Sequence, residues 1–177
     1  MSKTLIEIAK AVIQTEADSI LLLKGRIDQN FEEVCRIIKK CKGKVILIGM
    51  GKSGHIAKKI SSTLASTGTP AFYLHPGEAG HGDLGMVSQD DVVVMISYSG
   101  ESDEIISLLP GIKRMNTPII SMTGNNKSSI ALSSNVHLDV SVNKEACPNN
   151  LAPTSSTTAA LVMGDAIAVC LISTKNF

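Results

Sequence analysis

The chain has 177 residues, of which 44% are hydrophobic, so it is long enough to bury a core of its own and one domain is the default expectation. Its 17 lysines and arginines and 16 acidic residues give a formal net charge of +1, without any block of like charges. This balance argues against nucleic acid or a membrane surface as a partner. No apolar run approaches the ~20 residues that cross a bilayer, and no signal-peptide core is visible, so we expect a soluble, cytoplasmic protein.

The four cysteines, Cys35, Cys41, Cys147 and Cys170, form no C-x-x-C pair. They are therefore predicted to be free thiols in a reducing compartment, with no zinc knuckle or redox motif. Aromatic residues make up 3% of the chain and tryptophan is absent, which argues against stacking platforms for single-stranded nucleic acid.

Apolar residues at helical spacing predict two helices before any strand, from Thr4 to about Leu23 and from Phe31 to Cys41. Short continuous apolar runs then predict five buried strands. These runs are residues 44–49, 70–74, 91–97, 118–122 and 136–140. Helical spacing returns in residues 54–66, 103–115, 128–132 and 155–172.

The alternation of strands and helices predicts an α/β fold, a three-layer αβα sandwich around a five-stranded, mostly parallel sheet. We expect a single domain in which residues 1–43 are the N-terminal helices and residues 44–177 the α/β core. Ligands of such sheets bind outside the carboxyl ends of the strands, so the residues directly after each strand are the candidates for function.

The loop after the first strand, GMGKSG at residues 49–54, partly matches two phosphate-binding signatures. A dinucleotide site needs an acidic residue at the end of the second strand, where this chain has His75 and Pro76. A P-loop needs a glycine where Ile46 stands. Both nucleotide interpretations lose support, and glycines that merely turn the chain remain an alternative.

Small hydroxyl side chains follow the third strand and precede the last helix. Ser97, Ser99 and Ser102 surround Gly100 at one helix start, and a second cluster occupies residues 154–157. Helix starts bind anions through backbone N–H groups, although such residues also serve as simple N-caps. Two hydroxyl loops and one Gly-Lys-Ser loop at the same edge predict a site for the phosphate of a small molecule.

Four segments carry a resemblance to a known family: IGMGKSG, STGTPAFYLHPGEAGHGDLGM, ISYSGES and KEACPNNLAPTSSTTAALVMGDA. Together they resemble the sugar isomerase (SIS) domain of the D-arabinose 5-phosphate isomerase family, over nearly the whole chain. The resemblance implies interconversion of D-arabinose 5-phosphate and D-ribulose 5-phosphate, the first step towards Kdo of lipopolysaccharide. It also implies a flavodoxin-like or Rossmann-like core and a homotetramer with sites near subunit boundaries. Since the reaction moves a proton through an enediol, no redox cofactor is expected.

The resemblance also implies roles for particular residues. Lys52, Glu104 and Glu145 match catalytic positions, and His81 matches an active-site histidine. Physically, Lys52 would stabilise the enediolate, the two glutamates are candidate bases, and His81 would shuttle a proton near neutral pH. Lys52 could instead be a solvated loop charge, and Glu104 could serve only the helix dipole. Glu145, just before Cys147-Pro148, and His81, between two glycines, have no evident structural role.

Binding residues carried over from the family motif are Ser53, Ser97, Ser99, Ser102, Thr154, Ser155, Ser156 and Thr157. Gly68 and Thr69 match a substrate-binding pair. His75 matches a position linked to inhibitory zinc, although structural packing is an equal alternative for one isolated histidine. His137, inside a predicted strand, is expected to be structural.

Members of the family usually continue into a Ser-His-Pro-Gly segment and paired CBS domains, neither of which occurs before Phe177. If the histidine of that segment is the essential base, this chain would bind substrate but turn it over poorly. Two alternatives therefore stay open, a non-catalytic sugar-phosphate sensor and an isomerase of another phosphosugar such as hexulose 6-phosphate. The apolar faces of the first two helices predict an oligomer.

Overall fold

A computed structural model describes residues 4–175, and its helices and strands alternate along the chain. The helices are α1 (Leu5–Leu23), α2 (Gln29–Lys40), α3 (Gly51–Ser66), α4 (Pro76–Gly80), α5 (Asp103–Ile106), α6 (Leu109–Arg114), α7 (Ser129–Ser133) and α8 (Ser155–Lys175). The strands are β1 (Val45–Gly49), β2 (Ala71–Leu74), β3 (Val92–Ile96), β4 (Ile119–Thr123) and β5 (Val136–Asp139). Two 3-10 turns, Lys24–Arg26 and Asp83–Met86, connect them.

All five strands are parallel and lie in the order β2-β1-β3-β4-β5. Val45 pairs with Ala71 on one side and with Val92 on the other, so β1 and β3 form the centre of the sheet. The chain leaves β1 towards β2 and then returns across β1 to add β3. In this strand order the loops after β1 and β3 diverge and leave a crevice between them, which is the usual ligand site of such sheets.

The predicted α/β fold is confirmed, and every predicted strand is present within a few residues of its expected bounds. Helix α3 begins at Gly51, three residues earlier than the periodicity indicated, because its first turn is glycine-rich and polar. The predicted helix 103–115 is divided into α5 and α6, and Pro110 near the start of α6 has no N–H to continue a helical ladder. Helix α4 is too short to show a period and was not predicted.

Each face of the sheet carries its own apolar cluster. Alternate residues of β1 divide between them, with Leu47 in the cluster that includes α3 and α8 and Ile48 in the one that includes α5 and α6. Helices α3 and α8 approach closely at Gly164, where an added Cβ would lie 2.4 Å from Cδ1 of Ile60. Burial on both faces explains why the strands are continuous apolar runs.

Helix α8 contains an apolar stretch of a length that the sequence analysis did not expect. Residues Ser155–Thr174 have a mean hydropathy of 1.7, so by length and composition this one helix among the described residues could cross a membrane. It packs against α1, α2 and α3, and 39% of the stretch is buried within the fold. A core helix passes the same composition test, since it is apolar on several sides. None of the four cysteines, all of which lie within residues 4–175, forms a disulfide bond.

A buried carboxylate ties the amino ends of β1 and β3 together. Asp91 is 5% exposed, and its Oδ1 accepts the backbone N–H of Lys44 at 2.7 Å. Its Oδ2 accepts the backbone N–H of Ser88 at 2.7 Å and the Ser88 hydroxyl at 2.9 Å. These three bonds join the residue before β1 to the turn before β3, so the carboxylate fixes the alignment of the central strands.

We expect Asp91→Asn to lower the free energy of unfolding by about 2 kcal/mol, because the amide nitrogen cannot accept from these donors. Urea unfolding followed by circular dichroism measures the change. Asp90→Asn is the matched control, since it removes the same charge from an exposed neighbour that contributes its backbone carbonyl to Gly43. Equal unfolding midpoints for the two variants would contradict this role of Asp91.

Candidate active site

The loops at the carboxyl edge of the sheet bring predicted site residues together around the start of α8. A small cavity of ≈ 40 Å³ is lined by Ser53 from α3 and by Ser156 and Thr157 from α8, with Ile96 and Tyr98 of the β3 end. A larger cavity of ≈ 620 Å³ lies between α1 and the segment 144–148, and Glu145 contributes to its wall. Ser53 and the hydroxyls of the α8 start therefore share one cavity with Tyr98 of the loop after β3, and Glu145 lies beside a larger space.

The start of α3 is open to an anion. Its N-cap residue, Met50, makes no side-chain capping bond, and Gly51 has a φ of +56°, which favours glycine. The first N–H groups of the helix therefore have no intrahelical partner and carry the positive end of the helix dipole. Lys52 is exposed in this first turn, and its ammonium has no hydrogen-bond or ion-pair partner within residues 4–175.

A tyrosine that sequence reasoning did not identify holds this turn in place. The hydroxyl of Tyr73 on β2 donates to the carbonyl of Gly49 at 2.8 Å. An added Cβ at Gly54 would lie 2.7 Å from the same hydroxyl, so the glycine allows the close approach. The ammonium of Lys58 lies 5.0 Å from the centre of the Tyr73 ring. These contacts link residues far apart in sequence, so no local pattern signals them.

The loop after β3 is a compact network of hydroxyls. Ser97 is buried, its Oγ lies 2.8 Å from Oγ of Ser102, and it accepts the N–H of Gly100 at 3.2 Å. Ser99 is exposed, and its Oγ accepts the N–H of Glu101 at 3.2 Å. Ser102 precedes α5 without making a side-chain capping bond. The simple capping alternative therefore does not describe Ser102, which bonds to Ser97 instead.

Glu145 occupies the start of α8. Its Oε2 accepts the N–H of Thr154 at 2.8 Å, the Thr154 hydroxyl at 3.0 Å and the N–H of Ser156 at 3.2 Å. The sequence indicated no structural role for this carboxylate, but in the structure it accepts N–H groups at the start of α8. Partial burial acts to raise the pKa of Glu145, but the hydrogen bonds from Ser156 and Thr154 outweigh it, and the pKa is lowered from its usual 4.5.

The remaining hydroxyls of the α8 start differ in their partners. Thr157 Oγ1 donates to the carbonyl of Thr154 at 2.8 Å. Ser155 is fully buried, and its Oγ is the one buried side-chain N or O atom of the described chain without a hydrogen-bond partner. Ser156 is buried and faces the small cavity. Of these hydroxyl residues, Ser156 and Thr157 therefore line the small cavity, whereas Ser155 does not.

Glu104 and His81 lie on neighbouring elements outside both cavities. Glu104 is exposed on α5, and His81 is exposed at the end of α4, which packs against α5. Neither side chain has a hydrogen-bond or ion-pair partner among the residues that the structure describes. Both groups are therefore accessible to a ligand or to another copy of the chain.

Gly68 and Thr69 lie at the opposite edge of the sheet. They follow α3 and precede the amino end of β2, where Gly68 has a φ of +79° and the N–H of Thr69 donates to Leu64 at 2.9 Å. Because parallel strands have all their carboxyl ends at the other edge, the structure does not bring this pair together with the loops of Lys52 and Ser97 of the same chain. A role of Gly68 and Thr69 in substrate binding stays a prediction.

The histidine at position 75 has structural contacts. His75 Nδ1 accepts the N–H of Gly77 at 3.1 Å, and its ring packs edge-on against Tyr73 with centroids 6.3 Å apart. No group of three or more histidine, cysteine, aspartate or glutamate side chains suited to a metal occurs between residues 4 and 175. His137 Nε2 lies 3.0 Å from Thr123 Oγ1, so its ring has a hydrogen-bond partner, and its structural role stays a prediction.

Comparison with known proteins agrees with this geometry. The SIS domain family model matches residues 37–170. The chain is 56% identical over 172 residues to arabinose 5-phosphate isomerase KdsD of Francisella tularensis subsp. tularensis, covering 96% of this chain and 53% of that protein. The Escherichia coli K12 enzyme of the same name is 56% identical over 168 residues, covering 95% and 51%. The chain spans about half the length of these curated relatives.

Solved structures show the same architecture. Escherichia coli CFT073 c3406 in complex with arabinose 5-phosphate superposes with a TM-score of 0.95 at 43% identity, covering 100% of this chain and 95% of that one. A putative phosphosugar isomerase involved in capsule formation from Bacteroides fragilis gives 0.94 at 36% identity, covering 98% and 93%. The matched family model, the strand order and the hydroxyl loops lead to one assignment: the chain belongs to the SIS domain family.

Proposed function

We propose that this chain is an aldose-ketose isomerase that interconverts D-arabinose 5-phosphate and D-ribulose 5-phosphate, the first step towards Kdo. The observation that carries the proposal is the open start of α3, with Lys52 in its first turn, beside the serine loop after β3. A cation and free N–H groups next to hydroxyls suit a phosphorylated sugar. The names of the curated relatives and the sugar-phosphate complex of c3406 support the choice of substrate.

The reaction moves protons within the sugar and leaves its overall oxidation state unchanged. A base removes the proton on C2, the electron pair forms the C1–C2 double bond, and the aldehyde oxygen takes up a proton. The resulting enediol then loses the proton from the C2 hydroxyl, and C1 accepts a proton as the ketone forms. The protein must supply a base, an acid and a positive charge near the developing oxyanion.

The contacts suggest how these tasks are divided. The phosphate binds at the α3 start and the loop of Ser97, Ser99 and Ser102, because the Glu145 carboxylate already occupies the α8 start and would repel a second anion. Lys52 stabilises the enediolate. Glu145, with its lowered pKa, is ionised at neutral pH and acts as a base, while Glu104 and His81 remain further candidates for proton transfer.

We also propose that the active form is a cytoplasmic homotetramer. Helix α1 leaves Leu5 84%, Ile6 68% and Ile13 70% exposed, which is an apolar surface suited to burial against another copy. His81 lies outside the cavities of its own chain, so in this arrangement it completes the site of a neighbouring subunit.

Replacing Lys52 with glutamine should lower kcat about 10²- to 10³-fold, because an oxyanion loses its stabilising charge. Turnover is measured by NMR in deuterated water with a chelator present, following ketose formation and C–H exchange of D-arabinose 5-phosphate. Lys113→Gln is the matched control, since it removes the same charge from α6, near the amino edge of the sheet.

Unchanged kcat in Lys52→Gln would contradict the assigned role. If the wild-type chain binds arabinose 5-phosphate without exchange or ketose formation, the sensor alternative explains it better. Faster turnover of hexulose 6-phosphate than of the pentose would favour a different phosphosugar isomerase.

The Ser97 hydroxyl should contribute to phosphate binding through the loop that it organises. We expect Ser97→Ala to raise the KM for arabinose 5-phosphate about tenfold, equivalent to ~1.4 kcal/mol, and to weaken competitive inhibition by inorganic phosphate similarly. Ser66→Ala, which removes an exposed hydroxyl at the far end of α3, should leave both constants unchanged. Equal KM values for Ser97→Ala and wild type would exclude this phosphate position.

A further inference from the structure

We propose that Thr154 is a positioning residue that holds the Glu145 carboxylate by one oxygen, Oε2, and leaves the other, Oε1, for proton transfer. This inference rests on the proposed isomerase function and deepens it. It also gives Thr154 a different task from the direct substrate contact that the family resemblance implies.

The hydrogen bonds to Glu145 are one-sided. All three go to Oε2, and two of them come from Thr154, through its N–H at 2.8 Å and its hydroxyl at 3.0 Å. Within residues 4–175, none of these three bonds reaches Oε1 and it forms no ion pair, while the Ser156 side chain is a further donor to the carboxylate that lowers its pKa. A carboxylate anchored in this way has one oxygen held by three donors and a second oxygen that these bonds leave for proton transfer.

The direction of the Thr154 hydroxyl bond is fixed by its second partner. Thr154 Oγ1 accepts the N–H of Ala146 at 2.9 Å, so its own proton is available to Glu145. The N–H of Glu145 donates to Oδ1 of Asn150 at 2.7 Å. The backbone on both sides of the carboxylate is thus held by side chains of the same loop, which restricts the position of Glu145.

The surroundings of Glu145 suit a base beside a ligand space. The cavity that it lines has a volume of ≈ 620 Å³, within the range of small-molecule sites. The α1 residues on the opposite wall are Ile8, Ala11, Val12 and Thr15, none of which is ionisable. The ionisable neighbours are Lys144 and Cys147 on its own loop, and Glu16 of α1, whose carboxylate accepts the hydroxyl of Thr158 at 2.9 Å.

The sign of the expected pH effect follows from these contacts. Burial acts to raise the pKa of Glu145 and the bonds from Ser156 and Thr154 act to lower it. Removing the Thr154 hydroxyl takes away one lowering contribution and leaves burial in place, so the pKa of Glu145 should rise. A base must be deprotonated to act, so activity should then be lost at a higher pH on the acid side of the profile.

The test compares Thr154→Val with Thr154→Ser, which keeps the hydroxyl. The matched control is Thr158→Val, which makes the same change one turn further along α8, where the hydroxyl bonds to Glu16. Carboxyl carbon NMR follows the titration of Glu145, and kcat, KM and the pH profile are measured with arabinose 5-phosphate.

For Thr154→Val we expect a higher pKa of Glu145, a kcat reduced ten- to hundredfold, and a KM within about threefold of wild type. Thr154→Ser should restore both the titration and kcat, and Thr158→Val should resemble wild type. A raised KM with unchanged kcat would overturn the proposal in favour of a direct substrate contact. An unchanged titration of Glu145 in Thr154→Val would overturn it as well.

Failure of the proposed function is distinguishable from failure of this inference. If the wild-type chain shows no isomerisation, the proposed function fails, but the carboxyl titration requires no turnover and still decides whether Thr154 holds Glu145.

Discussion

The parallel pairing of β1 with β3 is the constraint on which the rest of the structure depends. Parallel strands need long crossover connections, and these cover both faces of the sheet with helices. The same pairing places the residues after every strand at one edge, with a crevice between β1 and β3. The loop of Lys52 and the loop of Ser97 meet there because of strand order, although 44 residues separate Ser53 from Ser97 in sequence.

Two long helices, α3 and α8, start at this edge, and their first N–H groups have different partners. Helix α3 begins at Gly51, and its N-cap residue Met50 makes no side-chain capping bond, so its first N–H groups remain for an external anion. Helix α8 begins with its N–H groups bound to Glu145 of the same chain. An internal carboxylate at one helix start and an open start at the other favour a ligand with a single anionic group, oriented with that group towards α3.

Sequence patterns predicted the elements whose burial is continuous and missed those that depend on contacts across the fold. The strands and α1 have clear apolar patterns, so their bounds followed from the sequence. The short helix α4 and the break before α6 have no such apolar pattern, so they were not predicted. Lys52, Ser97 and Ser102 were placed at the correct edge because they directly follow predicted strands. Gly68 and Thr69 were grouped with them by resemblance, although they precede β2 and lie at the other edge.

The attachment of Glu145 to α8 was not predictable in the same way. Its partners lie nine and eleven residues further along an irregular segment, a separation without a helical or strand period. Glutamate in a loop is usually solvated, so residue type also gave no signal. Only the three-dimensional contacts show that this carboxylate caps helix α8 and that Glu145 forms part of the wall of the larger cavity.

Helix α1 connects this cavity to the outside of the molecule. One side of the helix contributes Ile8 and Val12 to the cavity wall, and Glu16 accepts a hydrogen bond from Thr158 of α8. The other side exposes Ile6 and Ile13. Because one rigid helix carries both surfaces, another copy that covers the exposed side would also fix the wall opposite Glu145. In the proposed assembly, the packing of another copy on α1 would therefore be coupled to the geometry of the proposed base.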